Sequence, residues 1–152
     1  MPETVDPRGV RFTAGITSVI LALALISQSW RIMAAQAVLF ALCAFAGLKS
    51  NPWGYLFRGA VRPRLSPVEP DRHEIASVRF SQGVGFAFAL MATIGYVAHW
   101  GPLGMLVNMA ALLSALLNAA FGYCLGCQAY LLLRRFTAAG LSTVNLTVDA
   151  RH

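Results

Sequence analysis

Cys124 and Cys127, set in Phe121-Gly-Tyr-Cys-Leu-Gly-Cys-Gln-Ala-Tyr130, are the residues whose type and spacing carry the most chemistry in this chain. On a helix, positions i and i+3 lie on one face, so both sulfurs would point the same way. Their Cα separation would then suit a disulfide. In such a pair one thiolate can attack a disulfide and the other can resolve the product. The same two thiolates would fill half of a tetrahedral Cu(I) or Zn site, with Cys43 as the candidate third ligand. A bland alternative stands beside these. Gly122 and Gly126 form a G-x-x-x-G, continued upstream by Ala115 and Ala119, the small-residue pattern through which membrane helices pack. On that reading the glycines dock a larger membrane partner or a second copy, and the cysteines fill space. A reactive thiol also needs a helix N-terminus or cations nearby. The apolar run before the pair denies it a helix start, unless Gly122 breaks the span and a new interfacial helix begins there. Tyr123 and Tyr130 flank the pair as interfacial aromatics, within reach of a thiolate or bound sulfur.

Other polar residues carry less. Asn108, Ser114 and Asn118 are the polar positions of one apolar run, where side-chain amides join helices. Asn51-Pro52-Trp53 stops a helix and, with Tyr55, anchors it among headgroups. His73-Glu74 with Asp71 is a His–carboxylate cluster in a proline-rich stretch and reads as solvated surface. His99 beside Trp100 reads as an interface residue. Asn145-Leu-Thr147 matches a glycosylation acceptor without meaning on a cytoplasmic tail. No P-loop, nucleophile elbow or dinucleotide fingerprint is present, which excludes hydrolase and NTPase readings.

These residues must be positioned by membrane-embedded elements. Of 152 residues 57% are hydrophobic and 12% charged, about half the charge density of a soluble domain. Mean hydropathy is +0.62, which also excludes a disordered tail or a nucleic-acid-binding module despite the pI of 9.9. Four apolar stretches approach the roughly 20 residues needed to cross a bilayer, over about 12–29, 32–48, 83–100 and 103–133. The last is too long for one upright span; it tilts, or crosses once and continues as an interfacial helix. Tight links at Gln28 to Arg31 and His99 to Pro102 make two helical hairpins. Small residues at Ala35-Gln36-Ala37 resemble a signal cleavage site, but within a second apolar run they do not read as one.

Charge sets the orientation. Arg31 alone lies between spans one and two, and the other eleven basic residues, including Arg58, Arg62, Arg64, Arg134 and Arg135, fall on the opposite side. The positive-inside rule places both termini and the central loop in the cytoplasm. No Asp, Glu, Lys or Arg falls in the core of a predicted span, which argues against proton-coupled transport.

An internal repeat organises the chain. Val10-Arg11-Phe12-Thr13-Ala14-Gly15 opens span one as Val78-Arg79-Phe80-Ser81-Gln82-Gly83 opens span three. Two spans per copy imply a pseudo-twofold axis along the membrane normal. Leu48 to Pro52 then corresponds to Cys124 to Cys127, so Asn51, Pro52 and Trp53 would form the other lip of a site.

The Val-Arg-Phe openings, Asn51-Pro52-Trp53-Gly54 with its basic loop, and Gly-Tyr-Cys-Leu-Gly-Cys together resemble the DUF4395 family of small bacterial membrane proteins, over roughly residues 4–136. The resemblance implies a bacterial plasma-membrane protein. Association of relatives with thioredoxin-like and sulfurtransferase-type proteins points the cysteine pair toward thiol or sulfur chemistry.

The expected fold is all-α and polytopic, four transmembrane helices as two tandem hairpins with both termini cytoplasmic. Residues 1–136 form one membrane domain (repeat one about 8–58, linker about 59–77, repeat two about 78–134), and 137–152 form a tail. The expected function is a thiol-disulfide or sulfur relay through Cys124 and Cys127 with a thioredoxin-like or sulfurtransferase-type partner. A scaffold through Gly122/Gly126, which includes a homo-oligomer, comes next, then a Cu(I) or Zn site. The lipid bilayer is the other expected partner, and nucleic acid is not.

Overall fold

The computed structural model describes residues 4–5, 7–64 and 73–149. Among these the regular elements are helical, apart from a two-residue antiparallel ladder of β1 (Thr4–Val5) with β2 (His73–Glu74), Thr4 opposite Glu74. Helix α1 runs Pro7–Ser27 and opens on proline, whose missing N–H costs nothing in a first turn. Helix α2 runs Trp30–Ala41 and continues through a π-helical turn, Leu42–Ala46, to Gly47. A 3-10 turn at Leu48–Ser50 leads into the short α3, Pro52–Leu56, which itself runs on through a π turn at Phe57–Val61 and a 3-10 turn at Arg62–Arg64. Helices α4 (Ile75–Val97), α5 (Gly101–Phe121) and α6 (Leu125–Asp149) follow.

Among the described residues three helices, Arg8–Ser27, Ile75–Val97 and Gly101–Phe121, are long and apolar enough to cross a membrane. The expected second span is the apolar but shorter helix Trp30–Ala46, ended by Gly47 at φ +106°. The expected fourth, 103–133, is not one helix. It breaks at Gly122, where the backbone turns left-handed (φ +69°), so crossing and continuation are separate helices. The residues assigned to a tail from 137 belong to α6 as far as Asp149, and Asn145 is therefore helical. The expected linker shrinks at both ends, since 59–64 are helical and α4 has begun by Ile75. Asp71, Pro67 and Pro70 lie outside the described residues.

Two tight turns make the hairpins. In α1–α2, Gln28 takes a left-handed φ of 49°; in α4–α5, His99 takes 59°. The helices then pack crosswise: α1 lies chiefly against α5, and α2 against α4. Small residues let them approach. The main core joins Leu21 and Ala24 of α1, Met33 and Ala37 of α2, Ala89, Ala92 and Tyr96 of α4, and Val107 and Ala111 of α5. Gly95 and Gly104 bring the α4–α5 backbones so close that a Cβ on Gly95 would stand 2.8 Å from the Gly104 nitrogen. Gln36 and Ala37 of the apparent cleavage site are buried within the bundle. Large apolar side chains such as Ile26, Phe45 and Leu106 face outward, consistent with a membrane protein.

Asn108 is fully buried, and its Nδ2 donates to the Tyr96 hydroxyl at 3.1 Å, a polar join between α4 and α5. Asn118 contributes its backbone carbonyl to the end of α5. Two arginines fasten the other ends. Arg11 of α1 donates through Nε and Nη2 to the Ala119 carbonyl and through Nη2 to Ala120, at the C-terminus of α5. Arg79 of α4 does the same to Ala44 and Phe45, at the end of the helix after α2. Carbonyls at a helix C-terminus lack intrahelical donors and carry partial negative charge, so a guanidinium satisfies both needs.

Candidate functional site

The cysteine pair is built by the break between α5 and α6. Gly122 N–H donates to the Asn118 carbonyl at 2.9 Å, closing α5 with a left-handed glycine. Three residues later the chain is helical again. The Cys124 carbonyl accepts the Gln128 N–H at 3.0 Å, the first bond of the new helix, so Cys124 occupies the N-cap. Its Sγ accepts the Cys127 N–H at 3.3 Å, sulfur doing what Ser or Asp oxygen usually does there.

Of the two arrangements the sequence left open, the cysteines do not share one helix at the end of a span; Gly122 breaks the span and a new helix follows. Cys124 precedes α6, and Cys127 lies in its first turn. The two Sγ atoms are at bonding distance as a disulfide, with Cα atoms 5.2 Å apart. A helix N-terminus thus points at the Cys124 sulfur. Exposed N–H groups and the macrodipole stabilise negative charge there, the environment that favours a thiolate.

Both sulfurs are buried, and Val78 of α4 and Val10 of α1 complete the apolar cluster around them. The α4 face is held close by Gly126. A Cβ on it would stand 2.5 Å from Ser81 Oγ and 2.7 Å from Ser81 Cα. The Ser81 hydroxyl lies 3.3 Å from Cys124 Sγ. Further along α6, the Tyr130 ring meets Phe80 at 5.5 Å, and the Arg134 guanidinium lies 5.9 Å from its centroid.

The remaining expected site residues separate. Gly122 and Gly126 do not share a helix face: one makes a turn, the other seats α6 on α4 within the same chain. Tyr123 is exposed. Asn51 caps α3, its Oδ1 accepting the Trp53 N–H at 3.0 Å, with Pro52 at the first helical position. Cys43 is a buried free cysteine in the π turn after α2, apart from the cluster around the pair. Among the described residues no three of His, Cys, Asp and Glu gather into a metal-holding group. Sequence reasoning missed Ser81, Val10, Val78 and Arg11 as residues at or behind the site, and Arg79 as the matching clamp on the other hairpin. All five lie in the repeated Val-Arg-Phe segments, which marked them as paired but not for what they touch.

Residues 5–135 match the family described as a domain of unknown function, DUF4395. The chain belongs to the DUF4395 family. No curated protein and no solved structure matches it. In this DUF4395 protein the family match spans both hairpins and closes at Arg135, shortly after the cysteine pair.

Proposed function

We propose that this protein is a membrane-embedded thiol-disulfide relay whose working groups are Cys124 and Cys127. The observation that carries the proposal is the Cys124 sulfur at the start of α6, accepting the Cys127 N–H with the second sulfur at bonding distance. A cysteine at a helix N-terminus is stabilised as thiolate, and the neighbouring thiol resolves whatever it forms.

In the reaction, the Cys124 thiolate attacks one sulfur of a partner's disulfide. That bond breaks, the partner's other sulfur leaves as a thiolate, and a mixed disulfide forms. The Cys127 thiolate then attacks Cys124 Sγ, closing Cys124–Cys127 and releasing the partner as a dithiol. Two electrons and two protons pass from the pair to the partner, and the reverse sequence reduces the pair. The partner is a thioredoxin-like protein, which supplies or accepts both electrons.

The pair works at the cytoplasmic face of a bacterial plasma membrane. Four helices cross there, α1, α2 with its π turn, α4 and α5, with both termini inside. The one-sided distribution of eleven basic residues supports this orientation. Trp30–Ala46 spans about 25 Å at helical rise, short of the core but within what local thinning accommodates. The two hairpins descend from one duplicated unit. Paired contacts support this: Arg11 on the end of α5 against Arg79 on the helix after α2, and Phe12 with Phe57 against Phe80 with Tyr130. In that frame Asn51 caps α3 where Cys124 caps α6, so the second copy places sulfur where the first has an amide. In a reducing cytoplasm the disulfide is a transient state of the cycle.

Reduced protein in membranes, mixed with an oxidised thioredoxin-like protein, tests the proposal. Cys127→Ser accumulates a mixed disulfide through Cys124. If neither this variant nor Cys124→Ser ever forms one, the relay is wrong.

A further inference from the structure

We infer that Ser81 is a positioning residue for the thiol chemistry, holding the electron-rich sulfur on Cys124; the inference rests on the relay reading above. Several hydroxyls on the described helices return to their own backbone. Ser18 donates to the Ala14 carbonyl at 2.8 Å, Ser27 to Leu23 at 2.7 Å and Thr93 to Ala89 at 2.7 Å. That is the ordinary way for an apolar helix to satisfy a hydroxyl. Ser81 departs from it. Its hydroxyl lies 3.3 Å from Cys124 Sγ, on another helix 43 residues away.

The approach is made possible by Gly126, since any Cβ there would meet Ser81 and push α6 off α4. Neither a disulfide sulfur nor a thiolate carries a proton, so the Ser81 hydroxyl is the donor. Cys124 therefore receives two donors, the Cys127 N–H and the Ser81 O–H, at the positive end of α6. Arg11, which reaches the end of α5, and Arg79, which reaches Phe45 and Ala44, are both engaged on helix-end carbonyls. This arrangement assigns the roles within the pair: Cys124 carries the negative charge and attacks, and Cys127 resolves. Ser81 acts through Cys124 and forms no bond to the partner.

The test uses the full chain, reduced, in lipid vesicles. Iodoacetamide labelling at neutral pH is followed by mass spectrometry, and the thiol–disulfide equilibrium is read in glutathione buffers. In the wild type, Cys124 is labelled before Cys127. Ser81→Ala, which removes one oxygen and keeps the contact with Gly126, slows labelling of Cys124 about tenfold, as loss of one hydrogen bond to a charged group predicts. The glutathione equilibrium shifts toward the disulfide, because a charged thiolate loses more with its donor than a neutral disulfide sulfur does. Val78→Ala removes packing from the same cluster without touching a donor, and moves both readouts less than about twofold. Unchanged rate and equilibrium in Ser81→Ala overturn the assignment, as does an equal effect from Val78→Ala. Failure of both wild-type cysteines to label or oxidise would instead overturn the relay, and this inference with it.

Discussion

Arg11 Nη2 donates to the Ala120 carbonyl at 2.9 Å, joining the first turns of the chain to a residue 109 positions later. The same guanidinium holds Ala119, and Arg11 Cδ lies 3.5 Å from where a Cβ on Gly122 would stand. The clamp therefore fixes the end of α5 on which the cysteine turn is hung. Arg79 holds Ala44 and Phe45 in the same way. We expect Arg11→Ala to cost about 1 kcal/mol, a partly solvated charge on a helix end. Amide exchange should accelerate around 119–124, whereas Arg79→Ala accelerates it around 44–47. Exchange spread evenly over the chain in both variants would contradict the clamp.

Gly126 and Gly140 lie on one helix and should respond oppositely. Gly126→Ala drives a methyl into Ser81 of α4 and should destabilise by about 2 kcal/mol, as overpacking does. Nothing stands within 4 Å of a Cβ at Gly140, so Gly140→Ala should stabilise α6 by up to about 1 kcal/mol. Chemical unfolding in micelles distinguishes the two.

Gly122 takes φ +69° to end α5. Gly122→Ala forces a Cβ into left-handed backbone and should cost about 1 kcal/mol, with Gly122→Asn costing less. Equal stability for alanine and glycine would mean the turn has another conformation.

Cys124 has a capping role separable from its redox role. Cys124→Ser keeps an acceptor for the Cys127 N–H and should leave stability near wild type, while Cys124→Ala loses about 1 kcal/mol. Both abolish the disulfide. Thermal unfolding of reduced protein reads the first difference, and non-reducing electrophoresis the second.

Much of the architecture was legible because bilayers restrict backbone so strongly. Long apolar runs in lipid have to be helices. The tight links at Gln28 and His99 and the repeated Val-Arg-Phe segments were visible in the sequence, whereas Asn51-Pro52 read as a helix stop and is the cap that starts α3. The turn at Gly122 was not visible. In an apolar run, Gly-x-x-x-Gly signals helix packing equally well, and only tertiary structure decides that one glycine turns the chain while the other receives Ser81. The second apolar stretch, about 32–48, was placed within two residues of the helix Trp30–Ala46, but its closing π turn has no sequence mark beyond Gly47. Contacts such as Ser81 with Cys124 depend on which helices pair, a long-range fact that local spacing does not encode.

The most direct test of the central claim is the redox state and sidedness of Cys124 and Cys127 in native membranes, trapped by acid quench and labelled with a membrane-impermeant thiol reagent from each face. The account predicts a mixture of dithiol and disulfide at this pair that shifts with added reductant or oxidant, labelled from the cytoplasmic face after reduction. Two thiols that stay reduced under oxidant, or that label only from the opposite face, would contradict it.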